Sequence, residues 1–285
     1  MPSLSNHQSN EFTKLLIEGD SGSGKTGALT SLVAAGYKLR ILDFDNGLDT
    51  LKQFVLKECP DMIGNVEFRT LIDKRKSSPT GPIIDGPPKA FIDATKMLDR
   101  WKYKDEDGNE VDFGIPSEWG PDTILVIDSL TRMSDAAFDF RLALVSGKGE
   151  GKYDMRAVYG DAQDAIEATL ALFQSNNFQT NVIVISHIRY MERADGMTKG
   201  YPKSVGSALS PNIPTYFNSV AQFETSAGGK RTLKTTATAL LDLKNPAPFK
   251  MEKEYPITTG LADFFGVLRD HPTQATKVSQ LKRKA

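Results

Sequence analysis

The chain of 285 residues has one cysteine, Cys59, so no disulfide can form within it and a reducing compartment is indicated. Its three histidines, His7, His187 and His271, share no metal-ligand spacing with one another or with Cys59, which excludes a zinc site. No apolar run approaches the ~18 residues of a membrane-spanning helix. Met1 to Asn10 is polar and lacks the apolar core of a signal peptide. Neither sign of charge dominates: 35 Lys and Arg oppose 36 Asp and Glu, a net charge of -1. Without a global basic field, any nucleic-acid contact must come from local clusters. There is no G-x-S-x-G elbow, no G-x-G-x-x-G dinucleotide fingerprint and no internal repeat. These absences leave a cytoplasmic protein without disulfide, zinc, serine-hydrolase or dinucleotide chemistry.

What is present is the pattern of an α/β domain. Hydrophobic residues make up 39% and charged residues 25%, ordinary globular values. Strands are predicted at 12–18, 39–44, 66–71, 123–128 and 181–186, each short and apolar. Helical periodicity lies between them at 25–35, 49–56, 134–145 and 157–175. Such alternation indicates βαβ units and a parallel sheet. Residues 1–11 read as a tail, 12–266 as the domain, and 267–285 as a basic tail. Within the domain, 73–120 reads as an insertion holding a Pro/Gly/Ser-rich loop, a helix at 89–101 and a hairpin at 103–113 turning on Asp107-Gly108-Asn109. Residues 146–155 form a glycine-bearing loop, 188–214 a long irregular segment, and 220–224, 233–237 and 239–243 a strand meander.

Gly19-Asp20-Ser21-Gly22-Ser23-Gly24-Lys25-Thr26 fits G-x-x-x-x-G-K-[ST] between a strand and a helix. Glycines there let successive backbone N–H groups curl around phosphates, and the helix N-terminus adds its positive end. Lys25 is placed to reach the β- and γ-phosphates of ATP, and Thr26 to ligate Mg²⁺. A second Mg²⁺ ligand is expected at the end of a buried strand. Asp128 after Ile124-Leu125-Val126-Ile127 fits, and Asp122, which precedes the strand, fits less well. Hydrolysis also needs a group that orients water. The second strand ends Leu42-Asp43-Phe44-Asp45, and alternation turns Asp43 and Asp45 the same way. His187, at the tip of Ile183-Val184-Ile185-Ser186, is placed to sense the γ-phosphate.

Taken in order, these segments resemble the RecA-like ATPases over most of residues 12–250. More narrowly, they resemble the small RecA-core recombination ATPases of bacteriophages, which lack the terminal domains of cellular RecA. The stretch Ile41 to Asp49 is similar to the family's second-strand motif, in which a water-activating acid, usually Glu, stands where this chain has Asp45. Ile124 to Ser129 is similar to its metal-binding strand. Gln174 to Arg189 is similar to the stretch ending in a γ-phosphate-sensing Gln, with His187 in that place. Leu243 to Lys250 resembles a segment whose lysines reach the ATP of a neighbouring subunit; Lys244 matches one, and Pro246 occupies the other position.

The resemblance implies a RecA-like P-loop NTPase core: a mostly parallel sheet, helices on both faces and a C-terminal antiparallel extension. It implies catalysis by Lys25, Asp45, Asp128, His187 and Lys244 in a homo-oligomeric ring or filament with ATP between subunits. It also implies two DNA-facing loops, holding Lys148, Lys152 and Arg156 in one and Arg193, Lys199 and Lys203 in the other, with Tyr153, Tyr190 and Tyr201 interleaved. Cations beside aromatics suit single strands. Single-stranded DNA, and a single-strand-binding protein, are therefore the expected partners. Two other functions use the same loop: a small-molecule kinase with its acceptor in 73–120, and a nucleotide-gated module that hydrolyses slowly for a helicase or packaging partner.

Overall fold

Along the central strands the side chains alternate between two separate apolar layers. Leu16, Leu42, Leu125, Ile127, Val182 and Val184 enter one layer; Leu15, Ile17, Leu39, Ile41, Val126 and Ile183 enter the other. Strands buried on both faces like these belong to a parallel sheet covered by helices on each side. The computed structural model describes residues 12–146, 154–193 and 195–269, and it has that form.

In chain order the elements are β1 Lys14–Gly19, α1 Lys25–Ala28, α2 Thr30–Ala34, β2 Lys38–Asp43, α3 Asp49–Glu58 and β3 Val66–Thr70. A small hairpin of β4 Arg75–Lys76 and β5 Ile83–Ile84 follows, then α4 Ala90–Asp99 and a second hairpin of β6 Lys102–Lys104 and β7 Glu110–Asp112. The core resumes with β8 Gly120–Asp128, α5 Leu130–Ser146, α6 Met155–Gln174 and β9 Thr180–Ser186. A third hairpin, β10 Ile188–Glu192 and β11 Thr198–Pro202, precedes β12 Ser219–Thr225, β13 Arg231–Lys234, β14 Glu254–Pro256 and α7 Gly260–Leu268. The eight-stranded sheet runs β14-β13-β12-β1-β9-β8-β2-β3. From β12 to β3 every neighbour pairs in parallel, and β13 and β14 extend it antiparallel. This is the α/β arrangement expected, a mostly parallel sheet with helices on both faces, including the antiparallel extension.

Helices α4, α5 and α6 cover the first apolar layer, while α1, α2, α3 and α7 cover the second. Segment 73–120 does more than decorate the surface: Phe91, Ala94, Met97 and Leu98 of α4 are buried in the first layer, and Trp101 is fully buried. Its hairpin at 102–112 turns where Asp107-Gly108-Asn109 predicts.

Three expectations need correction. The helix after the phosphate loop is divided at Leu29, where i→i+3 bonds (Leu29 N to Thr26 O, Leu32 N to Leu29 O) tighten the winding. Residues 188–214 are not irregular throughout, because β10 and β11 pair from Ile188–Pro202 to Glu192–Thr198. That hairpin is a separate two-stranded sheet, and the positions β11 buries are Gly200 and Pro202, so it lacks the apolar alternation that marks a strand. Residues 239–243 form no strand; Thr238 and Leu241 close a turn on themselves, and β14 is the third strand of the meander. Among the described residues no helix is long and apolar enough to cross a membrane.

Candidate active site

The parallel strands end together, and the polar residues singled out in the sequence gather at that edge. Gly19 closes β1 where a side chain has no room: a Cβ would stand 2.6 Å from Ser23 Oγ and 2.8 Å from the Phe223 carbonyl oxygen. Gly22 and Gly24 have φ of 77° and 93°, the left-handed region that glycine adopts at little cost. The chain from Asp20 to Ser23 thus curls back on itself, with Ser23 N donating to the Asp20 carbonyl at 3.2 Å. Lys25 folds over the curl and donates from Nζ to the carbonyls of Gly19 and Asp20, both at 2.8 Å. Burial pushes its ammonium below the usual lysine range, against the opposing pull of Asp128, Asp20 and Asp45. Ser23 Oγ is buried and has no hydrogen-bond partner among the described residues.

Asp128 ends β8 opposite the loop. Its Oδ2 accepts the Thr26 hydroxyl at 2.7 Å, so the two expected metal ligands face each other. Burial raises the Asp128 carboxyl to about 6, with the neighbouring Asp45 and Asp43 adding to the rise and the Thr26 bond and Lys25 opposing it. A buried carboxyl so destabilised as an anion is a strong candidate to take a divalent cation. The loop fits a triphosphate on the same grounds: a lysine parked on carbonyls, an unpaired buried hydroxyl, and glycines where a Cβ would fill the cradle. Asp122 lies exposed at the far end of β8, away from this edge.

β2 stops at Asp43, so Asp45 lies in the turn that follows the strand. Asp43 is buried; Oδ1 accepts the N–H of Asp45 at 3.1 Å and of Gly47 at 3.4 Å, and Oδ2 accepts the Thr70 hydroxyl at 3.3 Å. It holds the turn that passes through Asn46 at φ 52°. Asp45 is carried outward and meets Arg132 Nε at 3.5 Å. Its charge is felt at Lys25, Asp128 and His187 alike, which places it among them.

His187 follows β9, which lies between β1 and β8. Its N–H donates to the Thr131 hydroxyl at 3.2 Å, and its carbonyl accepts the Lys203 N–H at 2.7 Å. Burial and then the Lys25 charge lower the imidazole below its ordinary value, so it is neutral near pH 7.

The remaining predicted residues lie apart. Lys244 forms an isolated antiparallel bridge with Val220, and its Nζ donates to the Phe217 carbonyl at 2.7 Å within the same chain. Lys199 is committed to Asp242 at 2.5 Å, with only 16% of its side chain exposed. Arg156, Arg193 and Lys203 are exposed, Arg193 beside Asp195 at 3.8 Å. Lys148 and Lys152 lie outside the described residues. Sequence reasoning missed Arg132, whose one signal is its place in the first turn of α5 just after Asp128. It also missed Arg231 and Ile257, which lie against the loop close enough that a Cβ on Gly24 would meet them at 3.3 Å and 2.5 Å.

A family model described as an AAA domain matches residues 11–247. Among solved structures the chain is similar to the RadB recombinase at 15% identity, covering 87% of this chain and 89% of that one with a TM-score of 0.44. It is also similar to an ATPase from the type III secretion system of pathogenic bacteria, at 14% identity over 74% of this chain and 52% of that one, TM-score 0.39. A third is EscN of enteropathogenic E. coli, in complex with its central stalk EscO, at 13% identity over 75% of this chain and 42% of that one, TM-score 0.40. The chain thus spans about half the length of the two secretion ATPases. Among curated proteins nothing matches the sequence.

Proposed function

The chain belongs to the AAA domain family of P-loop ATPases, and we propose that it is a Mg²⁺-dependent ATPase whose turnover responds to single-stranded DNA, in a cytoplasmic recombination or repair process. The observation that carries the reading is the convergence of Lys25, the Thr26–Asp128 pair, Asp45 and His187 at one edge of the sheet. A bound Mg²⁺–triphosphate would supply an electrophilic phosphorus with its negative charge partly neutralised. The chain's own groups do the rest. Lys25 would exchange its two carbonyls for phosphate oxygens, and Thr26 and Asp128 would hold the metal. Asp45 orients a water and takes its proton, and His187, neutral, donates toward the terminal phosphate.

DNA responsiveness is supported by the path of the chain. Hairpin β10–β11 begins one residue after His187 and returns to Lys203, whose N–H rests on the His187 carbonyl. A ligand that moves the hairpin moves the sensor. A homo-oligomer with the triphosphate between subunits is part of the proposal. In it Lys244 would serve a neighbour only after releasing the Phe217 carbonyl. The deciding experiment is ATP turnover with and without single-stranded oligonucleotide over a range of salt, with the assembly sized in parallel. Turnover should rise with DNA and the rise should fade with salt; a rate indifferent to DNA at every salt concentration rejects the DNA role.

A second reading, the slow nucleotide-gated module, is favoured by one contact. Asp45 is one methylene shorter than the family's Glu and is held by Arg132, so hydrolysis is restrained until that pair opens. Assembly that depends on nucleotide while turnover stays negligible would single it out.

A further inference from the structure

A cavity of about 670 Å³ opens beside the catalytic carboxylates, within the ~300–1,000 Å³ of small-ligand sites. Asp45 and Arg132 form part of its wall, Arg75 of the 73–120 segment another, and Tyr159, Arg189 and Ser204 complete it. Most charges there are already matched. Arg75 pairs with Asp139 at 3.0 Å, and Arg132 with Asp45 at 3.5 Å and Asp135 at 3.3 Å. Asp73 accepts the N–H groups of Lys89 and Ala90 at the start of α4.

One cation is left over. Arg189 is half-buried, donates to the Gly206 carbonyl, and has no ion pair among the described residues. A guanidinium carries five N–H donors, so most of its capacity is unused. Unused donors on a cavity wall call for an acceptor, best supplied by an anion. Tyr159 adds a flat surface: it is 42% exposed, and its ring lies 4.6 Å from that of Phe138 at an interplanar angle of 35°.

We infer that this cavity seats one nucleotide unit, separate from the triphosphate, with its phosphate on Arg189 and its base on Tyr159. The inference rests on the DNA-responsive reading and gives it a site. It also gives it a coupling. Arg132, which restrains Asp45, lies on the same cavity, so a phosphate seated there competes with Asp45 for that guanidinium and frees the carboxylate to work. The unit can come from a free nucleoside monophosphate or from a single strand; the chemistry is shared.

The test uses the full chain saturated with Mg²⁺ and a non-hydrolysable ATP analogue, so that the phosphate loop is filled. Binding of dTMP and of a short oligo-dT is measured by calorimetry and by fluorescence anisotropy. The parent should bind at least one, with Arg189→Gln and Tyr159→Ala each weakening it about tenfold or more, as loss of a stacked base or a phosphate contact does. Tyr159 is exposed, so its variant should fold; melting temperature and affinity for the ATP analogue check both. Binding of dTMP alone assigns the site to free nucleotides, and binding of oligo-dT alone assigns it to strands. If neither ligand binds, or folded variants bind as the parent does, the inference is wrong. DNA-stimulated turnover that survives both substitutions would sink the cavity and leave the DNA-dependent ATPase standing. Nucleotide binding at the cavity with no DNA effect on turnover would do the reverse.

Discussion

The two halves of the nucleotide edge are built in different ways. On the inner half, from Gly19 to Thr26 and at Asp128, backbone and side chains fix one another. Lys25 has two carbonyls, Thr26 has Asp128, and Gly19 has no space for a Cβ. On the outer half, Asp45 reaches Arg132 across 3.5 Å, Arg132 is 62% exposed, and it divides its charge with Asp135. Exposed pairs of that kind are worth only ~0–1 kcal/mol, so the outer half can rearrange at little cost. In the proposed function the difference separates a rigid binder of phosphate from an adjustable trigger.

The largest break in this comparison is Lys25→Ala. It removes the buried cation from the rigid half and should lower ATP turnover by about 10³-fold or more, with the melting temperature of the nucleotide-free protein close to that of the parent. Turnover within tenfold of the parent would mean that the loop does not run the chemistry.

Rigidity on the inner half has a thermodynamic signature at Glu18, which is 2% exposed one residue before the loop. Burial first, and Asp242 second, raise its carboxyl to about 8. The folded chain then keeps a proton that the unfolded chain releases near its ordinary value. Glu18 therefore favours folding less as pH rises between about 4.5 and 8, and the effect is on the order of 5 kcal/mol. Denaturant titrations across that window should show stability falling with pH, and a smaller fall in Glu18→Gln. Equal slopes would show that Glu18 is not the group.

On the outer half, Asp45→Asn should lower turnover about 10²-fold and barely change triphosphate affinity, since Asp45 touches neither the loop nor Thr26. Arg132→Ala sharpens the point. Released from its pair, Asp45 should make DNA-free turnover rise a few-fold. If Arg132→Ala instead loses turnover as Asp45→Asn does, Arg132 serves the reaction and does not restrain it.

Legibility in the sequence follows the same divide. The phosphate loop and Asp128 could be read because their geometry is local: glycines at fixed offsets, and a carboxylate at the end of an apolar strand. The sheet could be read because β1, β8 and β9 are apolar on both faces. Asp45 was harder to place than Asp43, because it lies past the end of β2 in a turn where Asn46 is left-handed and the period-two rule no longer applies. Hairpin β10–β11 carried no signal because the residues β11 buries are Gly200 and Pro202, which do not read as an apolar strand face. Arg231 and Ile257 reach the loop from distant elements, and no local pattern says which side chains tertiary packing will bring there; Arg132 had only its place just after Asp128 to mark it.

The smallest effect decides where Lys244 belongs. Its ammonium rests on the Phe217 carbonyl at 2.7 Å, and its backbone pairs with Val220 beside β1. A charged donor on a partly exposed carbonyl contributes about 1 kcal/mol, and Lys244→Met keeps the stem and the backbone bridge. If the lysine works only within its own chain, the variant should lose about that much stability and less than twofold in turnover, at low protein concentration and at concentrations where assembly is complete. A lysine that serves a neighbour's triphosphate behaves otherwise. Its loss should leave dilute protein unchanged and cost tenfold or more only once subunits meet. Turnover measured across that concentration range separates the two, and the Phe217 contact favours the first.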